Sequence, residues 1–136
     1  MPFALHPTLA RDTVEVTRLP LCRALLMNDR RFPWLVLVPE RAAVREIHEL
    51  SPADRTALVE EIARASEALE RLFHPDKLNV GALGNIVPQL HVHVVARAAG
   101  DPAWPGPVWG SGAAVPYPEG EIAEVRARLA AELQGS

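Results

Sequence analysis

His91 and His93 stand one residue apart in a run that alternates polar and apolar side chains. Successive side chains of a β-strand point to opposite faces, so Gln89, His91 and His93 are expected on one face, about 7 Å apart per two-residue step. Neutral imidazole is a good nucleophile at phosphorus near pH 7, because its reference pKa is about 6.5. The run therefore predicts that His91 attacks a phosphate group and releases it in a second step.

The same spacing permits two other interpretations. His-x-His on a strand is a common pair of metal ligands. The remaining imidazoles, His6, His48 and His74, repeat no recognised metal spacing with this pair. The polar face of a half-exposed strand can also simply meet water. A metal-binding module and a solvated strand face therefore stay beside phosphate chemistry as alternatives.

A glycine-containing segment precedes the two histidines. Gly81, Gly84 and Asn85 lie in it, and glycines let backbone N–H groups approach an anion closely. Glycines between strands also serve turns alone, without any ligand. Together with His91, the segment indicates a phosphate-binding loop next to the nucleophile.

Strand and helix signals alternate along the chain in a way that places these residues. A helix is predicted to begin at Ser51, an N-cap followed by Pro52, and to end near His74, which precedes a proline. A shorter helix is predicted from Glu119 to Leu133. The predicted strands are 13–17, 21–27, 35–38, 78–83 and 90–95.

The order of these elements predicts an α+β fold, in which helices cover one face of an antiparallel sheet. Residues 100–118 are rich in Gly, Pro and Trp and are expected to form an ordered loop or extended arm. With 136 residues, the chain is expected to be a single domain over 1–136, closed by the C-terminal helix.

Composition excludes several classes of partner. The net charge of −3 gives no general attraction to nucleic acid or to an anionic membrane. Charges and prolines interrupt every apolar run before the roughly 20 residues that span a bilayer. Cys22 is the single cysteine and cannot form an internal disulfide, and no secretory signal pattern is recognisable. A cytoplasmic protein is expected.

The run 89–95 resembles the histidine triad (HIT) signature, His-X-His-X-His-X-X with X apolar, and only its first histidine is changed, to Gln89. The resemblance covers about residues 21–104. It includes the strand 35–39 that ends in proline, the long helix after it, and the polar and glycine residues before the histidines.

The resemblance implies a five-stranded antiparallel sheet with one long and one shorter helix, usually assembled as a homodimer. Members of the family bind a purine nucleotide. They hydrolyse or transfer at the α-phosphate of dinucleoside polyphosphates, nucleoside phosphoramidates or adenylylated compounds. The reaction passes through a nucleotidyl-histidine and needs no metal or other cofactor.

Residue by residue, the resemblance implies catalytic roles for His91 as nucleophile and His93 as a phosphate ligand, with Gln89 at the first triad position. The attacking tautomer of His91 requires one ring N–H held by a backbone carbonyl and the distal nitrogen free. The residues expected to bind the nucleotide are Asn28, at the ribose, and Asn79, Gly84, Asn85 and Arg97, near the phosphates.

Three positions depart from the family pattern. Gln89 cannot relay a proton, although its amide can donate to a phosphate. Trp34 stands where some hydrolases carry a histidine, and we interpret it as a core or interface aromatic. Ile86 replaces a frequent Ser or Thr. These departures favour, as the alternative function, a nucleotide-binding or regulatory module with weak or no turnover.

Overall fold

The computed structural model describes residues 2–135, which form a five-stranded antiparallel sheet with three α-helices. The strands are β1 (Thr13–Arg18), β2 (Cys22–Met27), β3 (Trp34–Pro39), β4 (Lys77–Gly81) and β5 (Val92–Arg97). The helices are α1 (Pro7–Asp12), α2 (Pro52–Phe73) and α3 (Glu119–Gln134), and a 3₁₀ turn spans Ile47–Glu49. The strand order is β1-β2-β3-β5-β4, which confirms the predicted α+β class and sheet.

The long helix α2 begins and ends where its capping signals predict. The hydroxyl of Ser51 accepts the N–H of Asp54, Pro52 occupies the first turn, and His74 ends the helix in the left-handed conformation at φ 48°. At 22 residues α2 is the longest helix. No helix within residues 2–135 is both long enough and apolar enough to cross a membrane.

The two faces of the sheet bury different sets of side chains. The face toward α2 and α3 carries Leu26, Leu35, Leu37, Val92 and Val94, which pack on Leu58, Leu69 and Leu129. The opposite face carries Leu25, Trp34, Val36 and Val95, which pack on Phe3, Leu5, Val108 and Trp109. Helices therefore cover one face as predicted, while the N-terminal residues and the arm 100–118 cover the other.

The last strand starts later than the sequence suggested. We expected it over 90–95, but β5 runs from Val92 to Arg97. Both neighbouring strands end near its start, because Leu37 of β3 pairs with Val92 and Gly81 of β4 pairs with His93. His91 thus lies one residue before the first hydrogen-bonded residue of β5, so strand pairing alone does not fix the orientation of its side chain.

Helix α2 is joined to β2 through a buried carboxylate. Glu61 is 3% exposed and accepts the backbone N–H groups of Leu21 and Cys22, each at 2.8 Å. Burial, with the nearby Glu61 carboxylate, raises the pKa of the Cys22 thiol. Cys22 is thus a buried apolar residue, and Glu61 satisfies the N–H groups that open β2.

Candidate active site

His91 and His93 adjoin each other at the beginning of β5. Their ring centroids are 4.9 Å apart with an edge-on arrangement, and each residue is 6% exposed. Both point to the sheet face opposite the helices, because Val92 and Val94 occupy the helix-side core. The alternation predicted from the sequence is therefore present at these two positions.

The ring of His91 is oriented by the chain itself. Its Nδ1 lies 2.7 Å from the backbone carbonyl oxygen of Gln89. A carbonyl only accepts, so Nδ1 carries the hydrogen and Nε2 keeps its lone pair. No residue within 2–135 forms a hydrogen bond with Nε2. This tether leaves the distal nitrogen available as a nucleophile.

The ring of His93 is fixed by the opposite kind of partner. The indole N–H of Trp34 donates to Nδ1 of His93 at 3.0 Å, so the neutral ring carries its hydrogen on Nε2. Burial, and secondarily the adjoining His91, lowers the pKa of His93 to about 4. His93 is therefore a neutral hydrogen-bond donor near pH 7.

Trp34 combines the core position that we predicted with this polar contact. It is 8% exposed and meets the rings of Phe32 and His93 edge-on. It pairs with Val95 across β3 and β5, which makes it a diagonal neighbour of His93. Only the strand register brings the two side chains together, so the sequence alone gives no signal for the hydrogen bond.

The low pKa of His93 predicts a loss of stability in acid. The unfolded chain binds the proton near its ordinary pKa of about 6.5, whereas the folded chain resists protonation down to about 4. The stabilisation present above pH 6.5 should therefore fall by about 3 kcal/mol as the pH drops to 4. Urea unfolding of the protein and of His93→Gln, across this range, measures the difference.

The difference in the free energy of unfolding between wild type and His93→Gln should shrink as the pH falls, because glutamine does not titrate. A difference that stays constant between pH 7 and pH 4 would show that His93 is protonated equally well in both states.

Gln89 does not join the histidine pair. Its side-chain oxygen accepts the N–H of His6 at 2.9 Å, and its amide nitrogen donates to the carbonyl of Ala4 at 2.8 Å. The expected donation from this amide to a phosphate is therefore replaced by a tether to the N-terminal residues. Gln89 still acts on the site through its backbone carbonyl, which holds His91.

Replacement of Gln89 by alanine should release the N-terminal residues. Two hydrogen bonds are lost, which lowers the free energy of unfolding by about 1 to 3 kcal/mol. Amide hydrogen exchange should accelerate at His6, whose N–H loses its acceptor. As a control, Gln134→Ala removes an exposed amide contact to Thr17 and should cost less than about 0.5 kcal/mol. Unchanged exchange at His6 would contradict the tether.

The histidine pair borders a cavity of about 550 Å³, a size typical of small-molecule sites. We call it the aromatic cavity. Its lining residues are Asp12, Met27, Asp29, Arg31, Trp34, Leu83, Gly84, Asn85, Ile86, Val87, His91, His93, Val108, Trp109, Gly110, Gly112 and Ala114. Several residues of the arm 100–118 thus form part of the wall of this cavity.

Two of the predicted phosphate-binding residues lie at this cavity. Gly84 and the exposed Asn85 line it, between β4 and β5. Gly84 has φ +73°, a conformation that L side chains rarely adopt. The neighbouring Ile86 is 89% exposed at the same cavity, where a Ser or Thr hydroxyl is absent.

Asn28 does not line the aromatic cavity, contrary to the ribose-binding role expected for it. Its side-chain oxygen accepts the N–H of Tyr117 at 2.9 Å. The next residue, Asp29, lines the cavity instead and is 1% exposed. Asp29 is paired with Arg31 at 2.8 Å, which lowers its pKa despite burial. The acid at the end of β2 that reaches the cavity is therefore one residue beyond the position that we predicted.

Asn79 and Arg97 also do not line the aromatic cavity. Arg97 is 2% exposed, pairs with Asp101 at 2.8 Å and donates to the side-chain oxygen of Asn79 at 2.8 Å. Its guanidinium stands over the rings of Phe32 and Trp104. Because its charge is already neutralised and buried, Arg97 stabilises the arm and is not placed to attract phosphate.

Trp109 is a site residue that sequence reasoning did not identify. Its ring meets His93 edge-on at 5.5 Å and lines the aromatic cavity. A Cβ atom at Gly81 would lie 3.0 Å from the Trp109 ring, so the glycine permits this close packing. The pairing of a glycine in β4 with a tryptophan in the arm becomes visible only in three dimensions.

A second cavity of about 360 Å³ also borders His91 and lies on the side of the site where α2 begins. We call it the arginine cavity. Its lining residues are Arg45, Glu46, Ile47, His48, Arg55, Ala82, Leu83, Gly84, Gln89, Leu90 and His91. His91, Leu83 and Gly84 line both cavities. Within residues 2–135, no group of three or more His, Cys, Asp or Glu side chains is arranged to hold a metal ion.

Proteins with paired histidines on an antiparallel sheet of this topology form the class of histidine triad proteins. The family model named HIT domain matches residues 9–100, and the chain belongs to this family. A histidine triad protein of Sinorhizobium meliloti is 51% identical, with a TM-score of 0.91 over 93% of this chain and 94% of that one. A histidine triad protein of Marinobacter aquaeolei is 48% identical, with a TM-score of 0.96 over 99% and 98%.

A curated relative carries the name of an enzyme. It is the asymmetrical bis(5'-nucleosyl)-tetraphosphatase of Schizosaccharomyces pombe, 30% identical over 74 residues. The match covers 51% of this chain and 41% of the relative, so the chain spans less than half of that protein's length.

Proposed function

We propose that the protein is a nucleotidyl hydrolase or transferase that acts at the α-phosphate of dinucleoside polyphosphates, nucleoside phosphoramidates or similar compounds. The observation that carries the proposal is the hydrogen bond between Nδ1 of His91 and the Gln89 carbonyl, which in the neutral ring leaves the lone pair on Nε2, in a residue that borders two cavities. The tetraphosphatase name of the fission yeast relative agrees with this class of substrate.

In the first step, Nε2 of His91 attacks the α-phosphorus, and the bond from phosphorus to the leaving group breaks. The leaving group keeps the electron pair, and a nucleotidyl-histidine forms. In the second step, water attacks the same phosphorus and gives up one proton to the solvent, the electron pair of the N–P bond returns to Nε2 of His91, and the nucleoside monophosphate leaves. We assign to the Nε2–H of His93 a hydrogen bond to a phosphoryl oxygen as negative charge grows there; the assignment is supported by the Trp34 contact, which puts the hydrogen of the neutral ring on Nε2.

The aromatic cavity suits the nucleoside part of a purine nucleotide. Trp34 and Trp109 give it apolar walls, while Gly84 and Asn85 flank the histidines. Aromatic faces favour planar bases, and a few polar groups fix the orientation of the ligand. We place the base and sugar in this cavity and the α-phosphate at His91. We also propose that the protein is cytoplasmic.

A homodimer is part of the same proposal. Exposed apolar side chains occur on α2 and on the edge strand β4: Val59 is 62% exposed and Val80 is 50% exposed. An unpaired edge strand and apolar surface together favour assembly. Sedimentation equilibrium should give twice the mass of one chain, and a monomer at micromolar concentration would contradict this part.

The second candidate function is a nucleotide-binding or regulatory module with little turnover. It is favoured by the side chain of Gln89, which carries no titratable proton and is occupied by the N-terminal residues. Such a module would bind adenosine monophosphate in the aromatic cavity without forming a covalent intermediate.

Trapping of the intermediate distinguishes the two candidates. The protein is mixed with a dinucleoside polyphosphate labelled at the α-phosphate and quenched in base, in which phosphohistidine bonds survive. Mass spectrometry should find the nucleotidyl group on the peptide that contains His91, and none on His91→Asn. Binding of the substrate without label on any histidine of wild type would favour the binding module.

A further inference from the structure

We propose that the arginine cavity is the leaving-group site and selects substrates whose leaving group is a polyphosphate. The inference rests on the proposed function and deepens it, because it chooses among the substrate classes named there. It assigns Arg45 and Arg55 as the residues that bind the departing phosphates.

The location of the arginine cavity fits this role. It meets the aromatic cavity at Leu83, Gly84 and His91, so a molecule bound across His91 has one half in each cavity. The attacked phosphorus lies at the junction, and the two groups that it joins extend to opposite sides. With the nucleoside in the aromatic cavity, the second half of the substrate enters the arginine cavity.

The two cavities differ in the charges that lack a counter-ion. Arg45 and Arg55 line the arginine cavity, and neither forms a salt bridge within residues 2–135. The backbone N–H of Arg45, and to a lesser extent its charge, lowers the pKa of the exposed Glu49. The polar contacts of Arg55 are to carbonyl oxygens, those of His48 and Leu50. The single acid of the lining, Glu46, accepts the backbone N–H of Glu49. Two cations thus face one occupied carboxylate.

Among the described residues, the aromatic cavity has no such unpaired cation. Its two acids are both ion-paired, Asp12 with Arg11 and Asp29 with Arg31, each at 2.8 Å, and Arg31 is the one arginine of the described lining. A polyanion bound there would find no free positive charge, whereas the guanidinium groups of the arginine cavity match phosphate geometry. The anionic half of a substrate is therefore directed to the arginine cavity.

The chemistry of departure favours the same class. An amine must gain a proton as it leaves, whereas a polyphosphate departs as an anion when the P–O bond breaks and its bridging oxygen keeps the electron pair. Gln89 and Ile86 offer no titratable proton, and Trp34 is committed to His93. Apart from Glu46 and the nucleophile His91, the ionisable groups of the arginine cavity are His48 and the two arginines. Arg45 and Arg55 can stabilise the new negative charge without transferring a proton.

Calorimetric binding of inorganic tripolyphosphate tests the site without any need for turnover. The double variant Arg45→Gln/Arg55→Gln should bind tripolyphosphate at least about tenfold more weakly than wild type. The single variant Arg45→Gln changes an exposed residue, keeps the contacts of Arg55 and should show part of this loss. Arg71→Gln/Arg128→Gln removes the same charge at the far end of α2 and on α3, and should retain wild-type affinity.

Turnover provides the second measurement. The ratio of kcat/KM for diadenosine tetraphosphate to kcat/KM for an adenosine phosphoramidate of a neutral amine should fall at least about tenfold in the Arg45 and Arg55 double variant. Tripolyphosphate affinity equal in wild type and this variant, or absent from both, would overturn the inference. Arginine-dependent tripolyphosphate binding in a protein that releases no adenosine monophosphate would instead refute the proposed function alone.

Discussion

Replacement of His91 by asparagine is expected to lower the turnover number for release of adenosine monophosphate at least about a thousandfold. Removal of a covalent nucleophile elsewhere costs up to about 10⁶ in turnover number. Asparagine keeps a side-chain N–H that can reach the Gln89 carbonyl, so the local structure should survive. Steady-state kinetics with a dinucleoside polyphosphate measures the effect.

Two controls make this result specific to the nucleophile. The free energy of unfolding of His91→Asn should stay within about 1 kcal/mol of wild type, because one hydrogen bond is exchanged for another. Its calorimetric affinity for adenosine monophosphate should change less than about tenfold. Equal turnover in the two proteins would exclude His91 as the nucleophile.

Replacement of Asp101 by asparagine is expected to lower the free energy of unfolding by about 3 kcal/mol or more. The change leaves the Arg97 guanidinium, which is 2% exposed, without its counter-ion, and breaking a buried pair costs about 3 to 5 kcal/mol. Asp101 also accepts backbone N–H groups of the arm, from Ala98 to Trp104. Urea unfolding at pH 7 measures the loss.

The surface pair of Glu15 and Arg18 supplies the matched control, because Glu15→Gln makes the same chemical change at an exposed ion pair. That variant should lose less than about 1 kcal/mol. If the Asp101→Asn variant instead shows a higher KM for the nucleotide substrate and an unchanged free energy of unfolding, Arg97 binds phosphate and the structural role is wrong.

The Arg97 guanidinium holds the pKa of Asp101 well below its usual range. The stabilisation from this pair is therefore complete above the ordinary carboxyl pKa and is lost only as the pH falls through the depressed value. Asp101→Asn should remove this part of the acid dependence. Acid sensitivity between pH 6.5 and pH 4 consequently belongs to His93 and not to this pair.

Features set by neighbours in sequence were predicted well. The ends of α2 follow from Ser51, Pro52 and His74, whose capping geometry involves residues within four positions. The alternation of His91 and His93 with valines follows from the geometry of an extended chain, and the apolar side chains meet α2 as expected. The family signature adds the sheet, because it occurs in a known fold.

Contacts between distant residues were not predictable in the same way. The two hydrogen-bond partners of the Gln89 side chain are 83 and 85 positions away in the sequence. Trp34 and His93, which also form a hydrogen bond, are 59 positions apart. Glu61 reaches its two N–H groups across 40 and 39 positions. The roles of Asn28, Asn79 and Arg97 were misplaced for the same reason, since register and burial decide which side chains reach a cavity.

The tether between Ala4 and Gln89 also bears on how the protein is made. The amide of Gln89 is formed 85 positions after the carbonyl that it holds, so at roughly 5 to 20 residues per second Ala4 is synthesised about 4 to 17 s before its partner exists. During that interval Phe3 and Leu5 lack the apolar surface that later covers them. Until Gln89 is made, these two apolar side chains are therefore more exposed on the nascent chain than in the folded protein, and exposed apolar surface favours aggregation.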